Sequence, residues 1–561
     1  MGDKQDRPAK RPKLSSSPAS DPLKNTHSPN LASLHRSITP PPARPGRVPV
    51  SPHQNSENDA PATNTNQPQL IPSPIQLTRI RDFSESLKNN EDTVRLRDIL
   101  GDPMIRECWQ FNYLFDVDFL MSQFDEDVRD LVSVKVVHGS WKSESDNKVR
   151  IDEASKRYSN VEPIVAYMPE PFGTHHSKMM ILLRHDDLAQ VIIHTANMIS
   201  GDWANMCQAV WRSPLLPLST NGAEEQKSSV WGSGERFKRD LLAYLKAYGV
   251  KKTGPLTEQL AKHDFSAVRA ALIASVPSKQ KIGTSSNEDG KPLWGWPALR
   301  DALRNIPLHE SDSNTTPHIV TQMSSIATLG QTDKWLKDVF FDALAPSRST
   351  HTLKKQRPRF SVMFPTAEEI RRSLNGYGSG GSIHMKLQSA AQQKQLQYLR
   401  PYLKHWAADV ADKLPAIIQD AGRRRAAPHI KTYIRFTDGE SMDVIDWALV
   451  TSANLSTQAW GAATNANGEV RICSWEVGVL VWPGLYAIGP QSQSAAMVPC
   501  FKKDKPGFSR EVPADAAGST ALVGFRMPYD LPLTSYSAQD VPWCATMPHS
   551  TPDWLGQTWA A

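Results

Sequence analysis

Cysteine is scarce in this chain. Its 561 residues hold five, Cys108, Cys207, Cys473, Cys500 and Cys544. They are odd in number, scattered and never spaced Cys-x-x-Cys. That argues against a disulfide framework and a zinc site, and for a reducing compartment. No apolar run reaches the about 18 residues that a membrane-spanning helix needs, so no membrane span is expected. Met1-Gly2-Asp3-Lys4 has no apolar core for a secretory signal. No acidic cluster suits two-metal phosphoryl transfer, so no metal or other cofactor is expected. A strong excess of either charge is also missing. Lys and Arg total 64 against 58 Asp and Glu, a net charge of +6, which permits a nucleic-acid partner without demanding one.

What is present is a short pattern used twice. The first copy is Phe172-Gly173-Thr174-His175-His176-Ser177-Lys178, running into Met179-Met180-Ile181-Leu182-Leu183. The second is Pro428-His429-Ile430-Lys431-Thr432-Tyr433-Ile434. Each reads as His-x-Lys on a strand. Residues two apart on a strand share a face, so His176 projects with Lys178 and His429 with Lys431. Each copy is followed by an apolar strand, a small residue and an Asn. The stretches are Val191-Ile192-Ile193-His194-Thr195-Ala196-Asn197 and Ala448-Leu449-Val450-Thr451-Ser452-Ala453-Asn454. Trp203 and Trp460 each stand six residues past the Asn. The His-to-Asn gaps are 21 (197 minus 176) and 25 (454 minus 429). A repeat of this kind implies two structural duplicates that meet at one site.

In chain order, residues 1–74 hold fifteen of the 43 prolines and form an expected disordered tail. Lys10-Arg11-Pro12-Lys13 is a candidate nuclear-import signal, and the Ser-Pro and Thr-Pro pairs from Ser17-Pro18 to Ser73-Pro74 are candidate phosphate acceptors. Strands alternating with helices predict an α/β fold. The first half is expected at 75–308. It has core residues such as Tyr113 and Phe115 in 107–124, an amphipathic helix over 236–248 and a run over 268–276 whose type is open. The second half is expected at 309–561. It has a strand over 318–322, helices over 333–344 and 390–409, a Gly-rich turn over 376–382 and a last core strand over 475–482. The segment from Asp504 is expected to wrap that half.

Two His-x-Lys-Asn sets in one cleft suit a phosphodiester. Two Lys and two Asn hold its oxygens, one His attacks phosphorus, and the other protonates the leaving oxygen and then activates water. His175 points the other way from His176 and reads as structural. His384-x-Lys386 lacks a downstream Ser-Ala-Asn and reads as a chance match.

The doubled motif resembles the phospholipase D superfamily, whose His-x-Lys is followed after four residues by Asp. Here those positions are Leu183 and Phe436. The branch that lacks this Asp is the tyrosyl-DNA phosphodiesterases. Phe111-Asn112-Tyr113-Leu114-Phe115-Asp116-Val117-Asp118, Thr451-Ser452-Ala453-Asn454-Leu455-Ser456 and Pro528-Tyr529-Asp530-Leu531-Pro532 resemble that family as well. The resemblance covers roughly 75–561. It implies two α/β/α sandwich halves with pseudo-two-fold symmetry, His176 as nucleophile and His429 as acid and base. Lys178, Lys431, Asn197 and Asn454 would hold phosphate, and Gln208 and Glu476 would orient the histidines, pairing across the halves as in relatives. Ser325 and Thr328 lie in a turn similar to the family's strand-holding turn. Ser382 and Ser456 are candidate phosphate contacts, and Phe172 is either a base-stacking residue or core. The implied activity is DNA repair, hydrolysis of 3′-phosphotyrosyl links between DNA ends and a topoisomerase I peptide, by a nuclear monomer. The rival readings are another phospholipase D-type phosphodiesterase, whether nuclease or phospholipase, and a DNA-end binder without catalysis.

Overall fold

The computed structural model describes residues 68–220, 230–282, 292–308, 315–346, 357–407, 419–487, 495–507 and 521–560. The basic cluster at 10–13 and the Ser-Pro and Thr-Pro pairs up to Ser51-Pro52 lie outside them. Asn66–Ala561 is one compact unit.

Two sheets carry the two motif copies. The smaller has seven strands in the order Ile75–Leu77, Ala209–Arg212, Ala189–His194, Met179–Arg184, Ile105–Phe111, Ser133–His138 and Val161–Val165. Seven strands of the ten-stranded sheet repeat this order: Ala271–Ser275, Glu476–Val481, Ile445–Thr451, Thr432–Phe436, His318–Gln322, Arg359–Met363 and Leu403–Lys404. The pairing directions match strand for strand. Each motif strand is antiparallel to both neighbours, and the three strands at the far side are mutually parallel. Both motif strands are almost wholly buried, as sheets covered on both faces require.

Ala271–Ser275 settles the open run at 268–276 as a strand. It holds the place in the larger sheet that Ile75–Leu77 holds in the smaller. We propose from this equivalence that the second half starts before Ala271, ahead of the boundary expected near 308.

One apolar core draws on both sheets, with Ile181 and Val191 from one, Ile434 and Val477 from the other, and Leu241 and Leu245 from the helix Gly234–Lys246. That helix realises the amphipathic pattern expected at 236–248. Further cores cover the outer faces.

Several expectations are corrected. Order begins ahead of residue 75. Gln69–Ile71 pairs with Ala521–Arg526 at the edge of the larger sheet, six residues before Ile75–Leu77 joins the smaller one. Ser73 is buried and hydrogen-bonded to Ile75, so the Ser73-Pro74 pair presents no free hydroxyl. The strand over 475–482 is not the last, since Ala495–Cys500 and Ala521–Arg526 extend the same sheet. Past Arg526 the chain does wrap the second half. The Trp543 indole donates to the Gly380 carbonyl at 3.0 Å and stacks on His549. A Cβ at Gly380 would lie 2.0 Å from that indole, so the Gly-rich turn is what lets it approach. The helix expected over 390–409 stops at Leu399, where Arg400-Pro401-Tyr402 tightens to a 3-10 turn because Pro401 offers no N–H to continue the ladder.

Candidate active site

His176 and Lys178 lie just before the strand Met179–Arg184, not within it, and His429 and Lys431 likewise precede Thr432–Phe436. Each segment leaves its own sheet and pairs with the opposite half. The His176 N–H donates to the Trp475 carbonyl at 2.9 Å, and Trp475 N–H to Thr174. Ala427–Pro428 pairs with Met206–Cys207, and the His429 N–H donates to the Cys207 carbonyl at 3.1 Å. Glu476 and Gln208 follow directly on these docking residues. Gly173 permits the approach, since a Cβ there would lie 2.0 Å from the Cys473 carbonyl oxygen.

The partners therefore cross between the halves. His176 Nδ1 is 3.0 Å from Glu476 Oε2, which also accepts from the Ser452 hydroxyl. A carboxylate there keeps the proton on Nδ1 and leaves the Nε2 lone pair free. His429 Nδ1 is 3.0 Å from Gln208 Nε2 and 3.3 Å from Gln208 Oε1. The Thr195 hydroxyl fixes that amide by donating to its oxygen at 2.8 Å.

Lys178 and Lys431 are fully buried, and each ammonium donates to the carbonyl of its own motif histidine. Burial pushes Lys178 down to about 8 although Glu476 and Asp202 draw it up. Burial and the charge of Lys178 take Lys431 well below its ordinary value. Burial and then Lys178 lower His176 to about 4, against the pull of Glu476. His429 falls well below its ordinary value through burial and the charges of Lys431 and Lys178. Burial works to raise the Glu476 carboxyl, but His176, Lys178 and the Ser452 hydroxyl hold it below the usual carboxylate range. The site thus sets two neutral imidazoles beside crowded cations, a combination that an anion would relieve.

Asn454 is locked by its own oxygen, which accepts from the Ser324 and Ser325 N–H groups at 3.1 and 2.9 Å. Its amide lines a cavity of about 410 Å³ that also opens on His176, Glu476, Ser325 and Thr328. Asn197 is buried, and its side-chain oxygen has no hydrogen-bond partner among the described residues. Phe172 lines the same cavity at 79% exposure, which removes the core alternative. Ser382 reaches the Asp202 carboxylate at 3.4 Å. Ser456 lines the cavity, but its hydroxyl caps the helix Thr457–Trp460 and donates to Gln458. His175 turns away as expected, its ring held between the Asn112 carbonyl and the Tyr248 hydroxyl.

Three features escaped sequence reasoning. Asp202 is 1% exposed, with Oδ2 3.2 Å from His429 Nδ1 and 2.7 Å from the Asn197 N–H, and burial raises its carboxyl. It stands five residues past Asn197, where the second copy has Ala459, and that mismatch between the repeats was the available signal. Tyr113, read as core, is 41% exposed with its ring 5.7 Å from that of His176. His384 and Lys386, read as a chance match, both line the cavity. Among the described residues no group of three or more His, Cys, Asp or Glu side chains is arranged to hold a metal ion.

A family model described as "Tyrosyl-DNA phosphodiesterase" matches residues 74–537. The chain is 32% identical to the probable tyrosyl-DNA phosphodiesterase of Schizosaccharomyces pombe, over 88% of this chain and 96% of that protein. It is 30% identical to tyrosyl-DNA phosphodiesterase 1 of Arabidopsis thaliana, over 84% of this chain and 74% of that one. The crystal structure of the yeast tyrosyl-DNA phosphodiesterase superposes with a TM-score of 0.59 at 21% identity, covering 85% of this chain and 99% of that one.

Proposed function

The chain belongs to the tyrosyl-DNA phosphodiesterase family, a branch of the phospholipase D superfamily, and on that premise we propose how its residues divide the work. His176 Nε2 attacks the phosphorus of a DNA 3′-phosphotyrosyl link. The bond from phosphorus to the tyrosyl oxygen breaks as the nitrogen–phosphorus bond forms. His429, which carries a proton once the anionic phosphate is bound, gives it to the leaving oxygen. In the second step His429 takes a proton from water, the hydroxide oxygen bonds to phosphorus, and His176 is released with a 3′-phosphate left on the DNA.

Lys178, Lys431, Asn197 and Asn454 hold the non-bridging oxygens, and the lysines bring the positive charge that a metal ion supplies elsewhere. A bound phosphate favours the charged form of both lysines, against the burial that lowers each and the charge of Lys178 that lowers Lys431 further. Ser325, Thr328 and Phe172 line the path of the DNA strand, with Phe172 offering a face for a base. The attached group is a topoisomerase I peptide, and other 3′ adducts yield to the same chemistry. The protein works in the nucleus as a monomer.

The observation that carries this reading is the crossed pairing, a carboxylate on His176 and an amide on His429. It makes two like side chains unequal, as a nucleophile and a proton carrier must be. The test offers the protein a 3′-phosphotyrosyl oligonucleotide, an unmodified oligonucleotide and phosphatidylcholine vesicles. Release of tyrosine with a 3′-phosphate product is expected from the first. Turnover of lipid alone, or internal cutting of unmodified DNA, contradicts it.

A further inference from the structure

A second cavity opens at the end of the larger sheet away from the paired histidines. The strand His318–Gln322 begins with His318 in register with Arg359, the first residue of Arg359–Met363. It ends with Gln322 opposite Thr432, the residue after Lys431. Four steps of about 3.3 Å separate those two ends by about 13 Å. The cavity holds about 490 Å³, room for a small molecule. It shares no lining residue with the cavity at His176.

Part of its lining is basic. Lys337, Arg357, Arg359 and Lys404 line it with His318, and among the described residues no Asp or Glu does. Two of these cations meet carboxylates at the surface, Lys337 with Asp333 at 2.5 Å and Arg359 with Glu440 at 2.9 Å. Both pairs are open to water, which weakens them. Lys404 donates to a neutral group, the Ser535 hydroxyl, at 2.5 Å. His318 is buried, its Nε2 2.8 Å from the Ser361 hydroxyl. Burial and the charges of Arg359 and Lys404 take His318 down to about 4, and burial and Arg359 lower Lys404. These groups crowd one another, and an anion between them would relieve the crowding.

The rest of the lining is aromatic. Arg359 and Ser361 share one face of their strand, and Phe360 between them takes the other. Phe360 stacks on Phe341 with 4.1 Å between ring centroids, and Tyr402 meets Phe341 edge-on at 5.2 Å. Phe360 and Tyr402 are partly exposed, and all three rings line the cavity. A small inorganic anion would leave the rings unused, and an apolar ligand would leave the cations uncompensated. A planar base joined to a chain of phosphates uses both walls. We propose that this cavity binds a nucleoside polyphosphate, with its base against Phe360 and Tyr402 and its phosphates on Arg357, Arg359 and Lys404. The site is separate from the catalytic cavity and takes the nucleotide as a ligand, not as a substrate.

The experiment titrates ATP and, separately, tripolyphosphate into the protein by calorimetry, with EDTA present. Lys431→Ala serves as the background, because it weakens the grip on phosphate at the catalytic cavity. ATP is expected to bind at one site, about tenfold or more tightly than tripolyphosphate. Arg359→Gln and Lys404→Met, added singly, are each expected to weaken ATP about tenfold. Tyr402→Ala is expected to narrow the gap between ATP and tripolyphosphate, and unchanged melting temperatures show that the variants are folded. Absence of ATP binding overturns the proposal. Equal binding of ATP and tripolyphosphate reduces the cavity to an anion site and also overturns it. So does ATP binding that Arg359→Gln and Lys404→Met leave unchanged, which places the nucleotide elsewhere. A single-stranded oligonucleotide that displaces ATP and binds more tightly assigns the cavity to a nucleic-acid strand instead, and overturns the proposal too.

Discussion

The two motif histidines occupy duplicated frames but differ in their company. His176 has one ionic partner, Glu476, and lies at the cavity wall. His429 is 3% exposed and touches an amide, Gln208, with the Asp202 carboxylate 3.2 Å away. The duplication supplies two imidazoles with the same backbone approach. The side chain docked on each from the opposite half then decides what it does. A carboxylate aligned on Nδ1 would strengthen His176 in the proposed role of nucleophile. His429 meets the Gln208 amide together with the Asp202 carboxylate, whose charge burial opposes, and in the proposed division it carries the proton.

The largest effect is expected where one member of the pair is removed. His176→Ala takes away the proposed nucleophile, and turnover should fall by about a thousandfold or more in a steady-state assay. Residual activity near wild type would assign attack to another residue. Erasing the difference between the pairs should come next. Glu476→Gln gives His176 a neutral partner, and the first step should slow by about a hundredfold in rapid-quench measurements, with little change in substrate affinity. A pure KM effect would make Glu476 a binding residue.

The third prediction uses pH. In the free protein His176 titrates at about 4 and Lys178 at about 8. Below about 4 the nucleophile is protonated, while on the alkaline side His429, also held below its ordinary value, loses the proton it must give, and above about 8 Lys178 loses its charge as well. A profile of kcat/KM should therefore keep an acid limb at about 4 and decline on the alkaline side before the lysine titrates. An acid limb near the ordinary histidine value, about 6.5, would contradict the burial-depressed nucleophile.

The smallest effect is expected at His405, which follows the strand Leu403–Lys404 and meets Asp540 of the C-terminal wrap. His405 is 8% exposed, with Nε2 2.9 Å from Asp540 and Nδ1 3.4 Å from Glu369. Burial works against its charge, but Glu369 and Asp540 outweigh it and raise its pKa. A raised histidine stabilises fully below its unfolded value and loses that contribution as pH rises through the folded one. The gap in melting temperature between wild type and His405→Gln should be roughly 2–4 °C under mildly acid conditions and close as pH rises. A gap that widens with pH would reverse the sign.

Much of this site was legible because its chemistry repeats. The histidines, lysines and asparagines recur with like neighbours, and the missing Asp at Leu183 and Phe436 narrowed the branch. What escaped was whatever breaks the repeat. Asp202 has no counterpart in the second copy. Tyr113 sits among core aromatics, and local patterning does not distinguish a ring facing a cavity from one facing the interior. His384 and Lys386 owe their place to pairing with Ser325–Ile326, a contact between residues some 59 positions apart (384 minus 325). The same limit hid the strands at Ala495–Cys500 and Ala521–Arg526, whose partners are set by tertiary pairing and not by propensity. Pro401, by contrast, is a local signal for the end of the helix that began at Ala390.

The unequal histidines can be separated in one experiment. His429→Asn protein is mixed with a 3′-phosphotyrosyl oligonucleotide, quenched, and followed by denaturing gel and peptide mass spectrometry. If His429 governs the second step, DNA should accumulate covalently on the peptide containing His176, and His176→Ala in the same background should abolish it. Free 3′-phosphate forming at the wild-type rate with no adduct, or an adduct on any other residue, would contradict the division of labour between the two halves.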